Sequence, residues 1–213
     1  MPTRRTLIAA GLGFAHLFLA SAARSAAPTK PIVVTVLGDS ITAGLGLPAA
    51  DALPARLGDA LRAMGVKADV RGAGVSGDTT AGGLARLDFS VQPDTSVCVV
   101  ELGANDYLQS VPPRDIQANL NAIVARLKMR RIRVVLAAGQ APRAEAGAYG
   151  REFDAVYRDV ARKQAVILAP NLLAGLMDRP GFRQADGAHP NAAGVNVMAA
   201  RLAPLVARAI AIR

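Results

Sequence analysis

Four runs in this chain, residues 32–37, 96–102, 132–138 and 165–168, are apolar almost throughout and rich in β-branched side chains. A strand with one wet face alternates apolar and polar residues. A strand without alternation must be covered on both faces, as in parallel sheets packed between helix layers. A weaker candidate strand, residues 67–73, lies between the first two runs. Helical patterns fill the intervals. After Pro54, well suited to a first turn, Leu57, Leu61 and Met64 share a face, and Gly65 is the expected C-cap. Ile116, Leu120, Ile123, Val124 and Leu127 form a stripe of period 3.6, with Asp115 the expected N-cap. Tyr149, Phe153, Val156, Tyr157 and Val160 form another, and a further helix should begin near Ala192, with Pro204 kinking or ending it. Strand alternating with helix predicts an α/β domain whose site gathers at the carboxyl ends of the strands.

The 213 residues suit one domain of ordinary size, with no repeats or linkers inside it. Residues 1–23 read as an export signal: Arg4 and Arg5 make a charged start, an apolar run from Leu7 to Leu19 follows, and Ala20, Ser21, Ala22 and Ala23 supply small residues for cleavage. The Arg4-Arg5 pair also resembles a twin-arginine signal. An exported protein, periplasmic or secreted, is expected, with residues 24–213 as the mature domain. That apolar run is short for a span of about 20 residues, and no later segment reads as long enough to cross a membrane. No stable membrane anchor is therefore expected after cleavage.

Lys and Arg total 25 against 16 Asp and Glu, a net charge of +9; losing Arg4 and Arg5 leaves 23 against 16, or +7. The cations are dispersed, and the densest group, at residues 128–133, suits a helix end. No nucleic-acid partner is expected. The single Cys98 lies in an apolar strand and reads as a core residue, so no internal disulfide can form, and no cluster has metal-ligand spacing.

Beyond the expected signal the sequence holds one histidine, His189, three residues after Asp186. An imidazole base must therefore be His189, and Asp186 could hold its Nδ1–H. At the first strand's end, Gly38-Asp39-Ser40 offers a hydroxyl nucleophile. The second candidate strand ends in Gly72-Ala73-Gly74-Val75-Ser76-Gly77, formally G-x-G-x-x-G, with Glu101 as an acid further on. Those glycines could hold a dinucleotide or aim a backbone N–H at an oxyanion. The third strand ends in Gly103-Ala104-Asn105-Asp106, where Asn105 could donate to a tetrahedral intermediate or simply form a turn.

Taken together and in order, Gly38-Asp39-Ser40, Gly77 in Ser76-Gly77-Asp78-Thr79, Gly103-Ala104-Asn105-Asp106 and Asp186-Gly187-Ala188-His189-Pro190 resemble the four blocks of the SGNH (GDSL-type) hydrolases. The chain is most similar to their exported arylesterase, acyl-CoA thioesterase and lysophospholipase branch. The resemblance spans about residues 32–210. It implies a three-layer α/β/α, flavodoxin-like sandwich with a five-stranded parallel sheet. It also implies Ser40 as nucleophile, His189 as base and Asp186 as its orienting acid. The oxyanion hole would come from the Ser40 and Gly77 N–H groups and the Asn105 side chain. The expected substrates are short- to medium-chain acyl or aryl esters, with thioesters and lysophospholipids as extensions, and no cofactor or metal is needed. Two alternatives remain at this point. A carbohydrate O-acetylesterase would use the same residues, though only 4% of this chain is aromatic. A non-enzymatic flavodoxin-like protein would hold flavin or nucleotide at the Gly72–Gly77 turn.

Overall fold

The computed structural model describes residues 32–139 and 147–212. The expected signal, residues 1–23, lies outside the described residues. Five strands, β1 (Val33–Gly38), β2 (Asp69–Gly74), β3 (Val97–Glu101), β4 (Arg133–Ala137) and β5 (Ile167–Ala169), form one sheet in the order β2-β1-β3-β4-β5. Every neighbouring pair is parallel. From β1 the chain crosses one way to β2 and then back to β3 on the other side. This reversal opens a crevice at the carboxyl ends of β1 and β3, where open α/β sheets place their sites.

The lack of alternation in the strands follows from two separate cores. Val34, Val36, Val97, Val99 and Val135 point to one face, against α2 (Leu53–Ala63) and α8 (Ala192–Ala211). Leu37, Cys98, Val100, Val134 and Leu136 point to the other, against α6 (Pro113–Met129) and α7 (Ala148–Gln164). This is the three-layer sandwich that the resemblance implied. β2 is an edge strand with no fully buried residue, which explains its weak apolar signal.

Four local expectations need correction. Met64 is 49% exposed, because α2 stops at Ala63 and the chain is already turning; Gly65, at φ +77°, completes the turn. Asp115 is not the cap of α6: the helix starts two residues earlier at Pro113, so Asp115 supports the first turn instead. Of the two outcomes expected of Pro204 the structure overturns one: it does not end α8, which runs on to Ala211. Its ring is on the exposed side, with Ala200 one turn back also exposed, so water can satisfy the carbonyl that loses its donor. Finally, α8 is long and apolar enough to cross a membrane by length and composition, contrary to expectation. In this fold it is a core helix, with Val195, Met198, Leu202 and Val206 buried.

Candidate active site

The nucleophile candidate sits on a tight corner. Directly after β1, Asp39 caps the four-residue helix α1 (Ser40–Ala43), its Oδ1 accepting from the Ile41 N–H at 2.9 Å. Ser40 is thus the first residue of α1, only 9% exposed. The corner is packed against its neighbours: a Cβ on Gly74, the last residue of β2, would lie 2.3 Å from the Ala43 nitrogen. Glycine is what lets α1 settle on the ends of the strands.

His189 arrives on the loop before α8. Its Nε2 is 2.8 Å from Ser40 Oγ, and its Nδ1 is 2.7 Å from Asp186 Oδ2. The other carboxylate oxygen, Oδ1, accepts from the Ala188 and His189 N–H groups at 2.9 and 3.1 Å. Asp186 therefore orients the ring and closes the turn that carries it. These bonds, led by the one to His189, hold its carboxyl down at about 2. The loop is anchored at both ends. Asn191 caps α8 through the Gly194 N–H at 3.0 Å, and Gln184 Nε2 donates to the Leu45 and Pro190 carbonyls at 2.8 and 3.0 Å. Gln184 thus ties the histidine loop to the segment following Ser40. Sequence reading gave it no part, because its partners are main-chain oxygens.

The remaining candidates come from the turns after β2 and β3. Gly77, at φ +81°, lies in a turn closed by the Asp78 N–H to the Val75 carbonyl at 3.1 Å. Asn105 is the second residue of α5 (Ala104–Leu108). Its Nδ2 donates to the Asp78 carbonyl at 2.8 Å and more weakly to Asp39 Oδ2 at 3.3 Å. The amide is therefore bonded to the residue after Gly77 and to the residue before Ser40. All five expected residues meet at one corner of the sheet. The adjoining Asp106 is buried and accepts from the Thr80 N–H and Oγ1 at 2.8 and 2.6 Å, joining α5 to α3 (Thr80–Ala85).

Two carboxyls beneath the site are electrostatically stressed. Burial raises Asp39 above its ordinary value, though its bond from Ile41 opposes this. Glu101, at the end of β3, accepts from Thr42 Oγ1 at 2.8 Å; desolvation pushes it well above the carboxylate range, and the nearby Asp39 charge adds to the rise.

The glycines of the G-x-G-x-x-G pattern have other duties. Gly72 lies in the edge strand against Pro54, and Gly74 makes room for α1. Nor is the turn at the first strand, where a dinucleotide fingerprint belongs. Among the described residues no group of three or more His, Cys, Asp or Glu is placed to hold a metal ion.

Comparison with known proteins settles the family. The model of the GDSL-like Lipase/Acylhydrolase family matches residues 36–197. The chain belongs to that family. Arylesterase from Vibrio mimicus is 35% identical over 82% of this chain and 86% of its own length. Esterase TesA from Pseudomonas aeruginosa is 37% identical over 73% and 78%. Thioesterase 1/protease 1/lysophospholipase L1 from Escherichia coli K12 is 33% identical over 92% and 93%. Among solved structures, AlinE4, an SGNH-hydrolase family esterase, superposes with a TM-score of 0.71 at 39% identity, covering 87% of this chain and all of its own. This GDSL-family protein is accordingly a serine esterase whose substrates are small esters, and neither rival class is favoured.

Proposed function

We propose that this GDSL hydrolase cleaves short- to medium-chain acyl and aryl esters, and thioesters and lysophospholipids with them, through an acyl-enzyme on Ser40. The observation that carries the reading is the continuous relay from Ser40 Oγ to His189 Nε2 at 2.8 Å and from His189 Nδ1 to Asp186 Oδ2 at 2.7 Å. With Asp186 accepting from Nδ1–H, the Nε2 lone pair faces the hydroxyl. Ser40 Oγ attacks the carbonyl carbon as its proton passes to Nε2. The tetrahedral intermediate collapses, and the leaving alcohol or thiol takes that proton. A water, deprotonated by the same nitrogen, then releases the carboxylic acid and restores Ser40.

The oxyanion would be met by the N–H groups of Ser40 and Gly77 and by Asn105 Nδ2. Asn105 has a donor to offer because its bond to Asp39, at 3.3 Å, is the weaker of its two. That N–H can exchange its long contact to Asp39 for the developing charge while the other N–H keeps its bond to Asp78. Exposed Leu45, Val75 and Leu108, on segments leaving the same edge of the sheet, suit an apolar acyl or aryl group. The three tyrosines and Phe153 pack on one another with ring centroids 5.1–5.4 Å apart, so their faces are spent within the protein and do not make a sugar platform. The signal-like sequence of residues 1–23 supports export.

A fluorophosphonate probe tests the assignment. It should label Ser40 in the wild type and leave Ser40→Ala unlabelled and inactive on p-nitrophenyl butyrate. Undiminished labelling or turnover in Ser40→Ala would refute it.

A further inference from the structure

One arginine lies below the site with no part in the chemistry just described. Arg86 follows α3, and its side chain is only 18% exposed. Its guanidinium uses every nitrogen. Nε donates to Asp78 Oδ2 at 2.7 Å, Nη2 to the Gly38 carbonyl at 2.9 Å, and Nη1 to the Ala73 carbonyl and Ser90 Oγ, each at 2.9 Å. Gly38 ends β1 two residues before Ser40, and Ala73 lies one residue before the end of β2. Asp78 follows Gly77, and its carbonyl holds Asn105 at 2.8 Å. One planar cation is thus bonded to the strand end leading to Ser40, to the strand end leading to Gly77, and to the residue that seats Asn105.

Each contact constrains the others. The Gly38 carbonyl also accepts from the Val75 N–H at 3.1 Å, so the turn carrying Gly77 is hung from the strand that carries Ser40. The Asp78 carboxylate lies close over the first turn of α3, where a Cβ on Gly82 would come within 1.9 Å of its Oδ1. Asp78 thus bonds Arg86 through its carboxylate and Asn105 through its carbonyl. We propose that Arg86 is a positioning residue for the oxyanion hole, setting the Asn105 amide through Asp78 and fixing the Gly77 turn against β1. The inference rests on the oxyanion role proposed above for Asn105 and Gly77. Catalytic donors held by preorganised bonds act only in the right place, and a misplacement of about 1 Å can cost about 10²-fold in rate. An arginine fork meets this need where a lysine does not, because one ammonium cannot reach a carboxylate and two carbonyls in a plane.

The experiment is a double-mutant cycle between Arg86→Lys and Asn105→Ala, with kcat, KM and melting temperature measured on each protein. Arg86→Lys should lower kcat by roughly 10- to 100-fold with KM within about twofold. In the Asn105→Ala background the same change should cost at least fivefold less, because the amide it places is gone. Ser90→Ala, which removes only the contact to the Ser90 hydroxyl, should leave kcat unchanged. If Arg86→Lys does not fold, Asp78→Asn takes its place in the cycle, since it weakens the partner of Arg86 while keeping the carbonyl that seats Asn105. An equal kcat loss in both backgrounds, or a kcat within twofold of wild type, would overturn the proposal while the oxyanion hole stood. An unchanged kcat in Asn105→Ala alone would remove the oxyanion reading, and the role of Arg86 with it.

Discussion

Asp186 makes three hydrogen bonds with two oxygens, and this division dictates what an amide there must do. In Asp186→Asn the side-chain carbonyl can take the place of Oδ1, keeping the N–H groups of Ala188 and His189 at 2.9 and 3.1 Å, or that of Oδ2, keeping His189 Nδ1 at 2.7 Å. It cannot do both. Two backbone donors outweigh one ring donor, and an NH2 turned toward two N–H groups would leave all of them without acceptors. The amide nitrogen therefore faces Nδ1 and donates to it. That forces the ring proton onto Nε2, the atom that must accept from Ser40. The variant should keep its fold and its loop yet lose about 10²–10⁴ in kcat. Asp186→Ala removes the orienting bond without imposing the wrong tautomer. It should retain more activity than Asp186→Asn, though the smaller side chain is the less conservative change. Because His189 is the sole histidine after residue 16, a ¹⁵N spectrum of protein lacking residues 1–23 reads its tautomer from a single imidazole. Hydrolysis of p-nitrophenyl acetate supplies kcat. A protonated Nδ1 in Asp186→Asn, or a kcat for that variant above that of Asp186→Ala, would refute the reasoning.

Asn105→Ala should lower kcat by about 10²–10³, or about 2.7–4 kcal/mol, with little change in KM, and a kcat within threefold of wild type would remove Asn105 from the site. The same variant loses the bonds to Asp78 and Asp39, worth about 2 kcal/mol together, so its melting temperature should fall by about 4–8 °C. For Glu101 the sign runs opposite to that of a salt-bridged acid. Its folded value is raised, so the folded state binds the extra proton and stability falls as pH climbs past 4.5. Glu101→Gln removes that dependence, and its melting temperature relative to wild type should rise between pH 4 and pH 8; a constant difference would show that Glu101 carries no such strain.

The strands were legible because four of them are covered on both faces, leaving apolar runs that little else produces. β2 was faint because an edge strand carries Asp69 and Arg71 among few apolar residues. The error at Met64 has a simple origin: periodicity continues past the point where a helix stops packing. Pro204 does not end its helix because the carbonyl left without a donor lies on the exposed side, which the sequence alone does not show. Ser40 and Asn105 stood out because each sets a chemically capable side chain just past a strand end, and His189 because no other histidine follows residue 16. Arg86 and Gln184 did not. Their most distant partners are main-chain carbonyls, 48 residues away at Gly38 and 139 away at Leu45, and a carbonyl has no letter in the sequence.

Ser40 and His189 lie 149 residues apart, one following the first strand and the other preceding helix α8. A ribosome making this chain therefore releases the hydroxyl early and the imidazole very late. Throughout most of synthesis the polypeptide holds a serine with no base. Only when α8 docks beside α2 does the loop ahead of it swing His189 into place. The proposed relay can therefore form only when nearly the whole domain has been made. A fragment cut short before residue 189 would keep Ser40 and lack the base proposed for it.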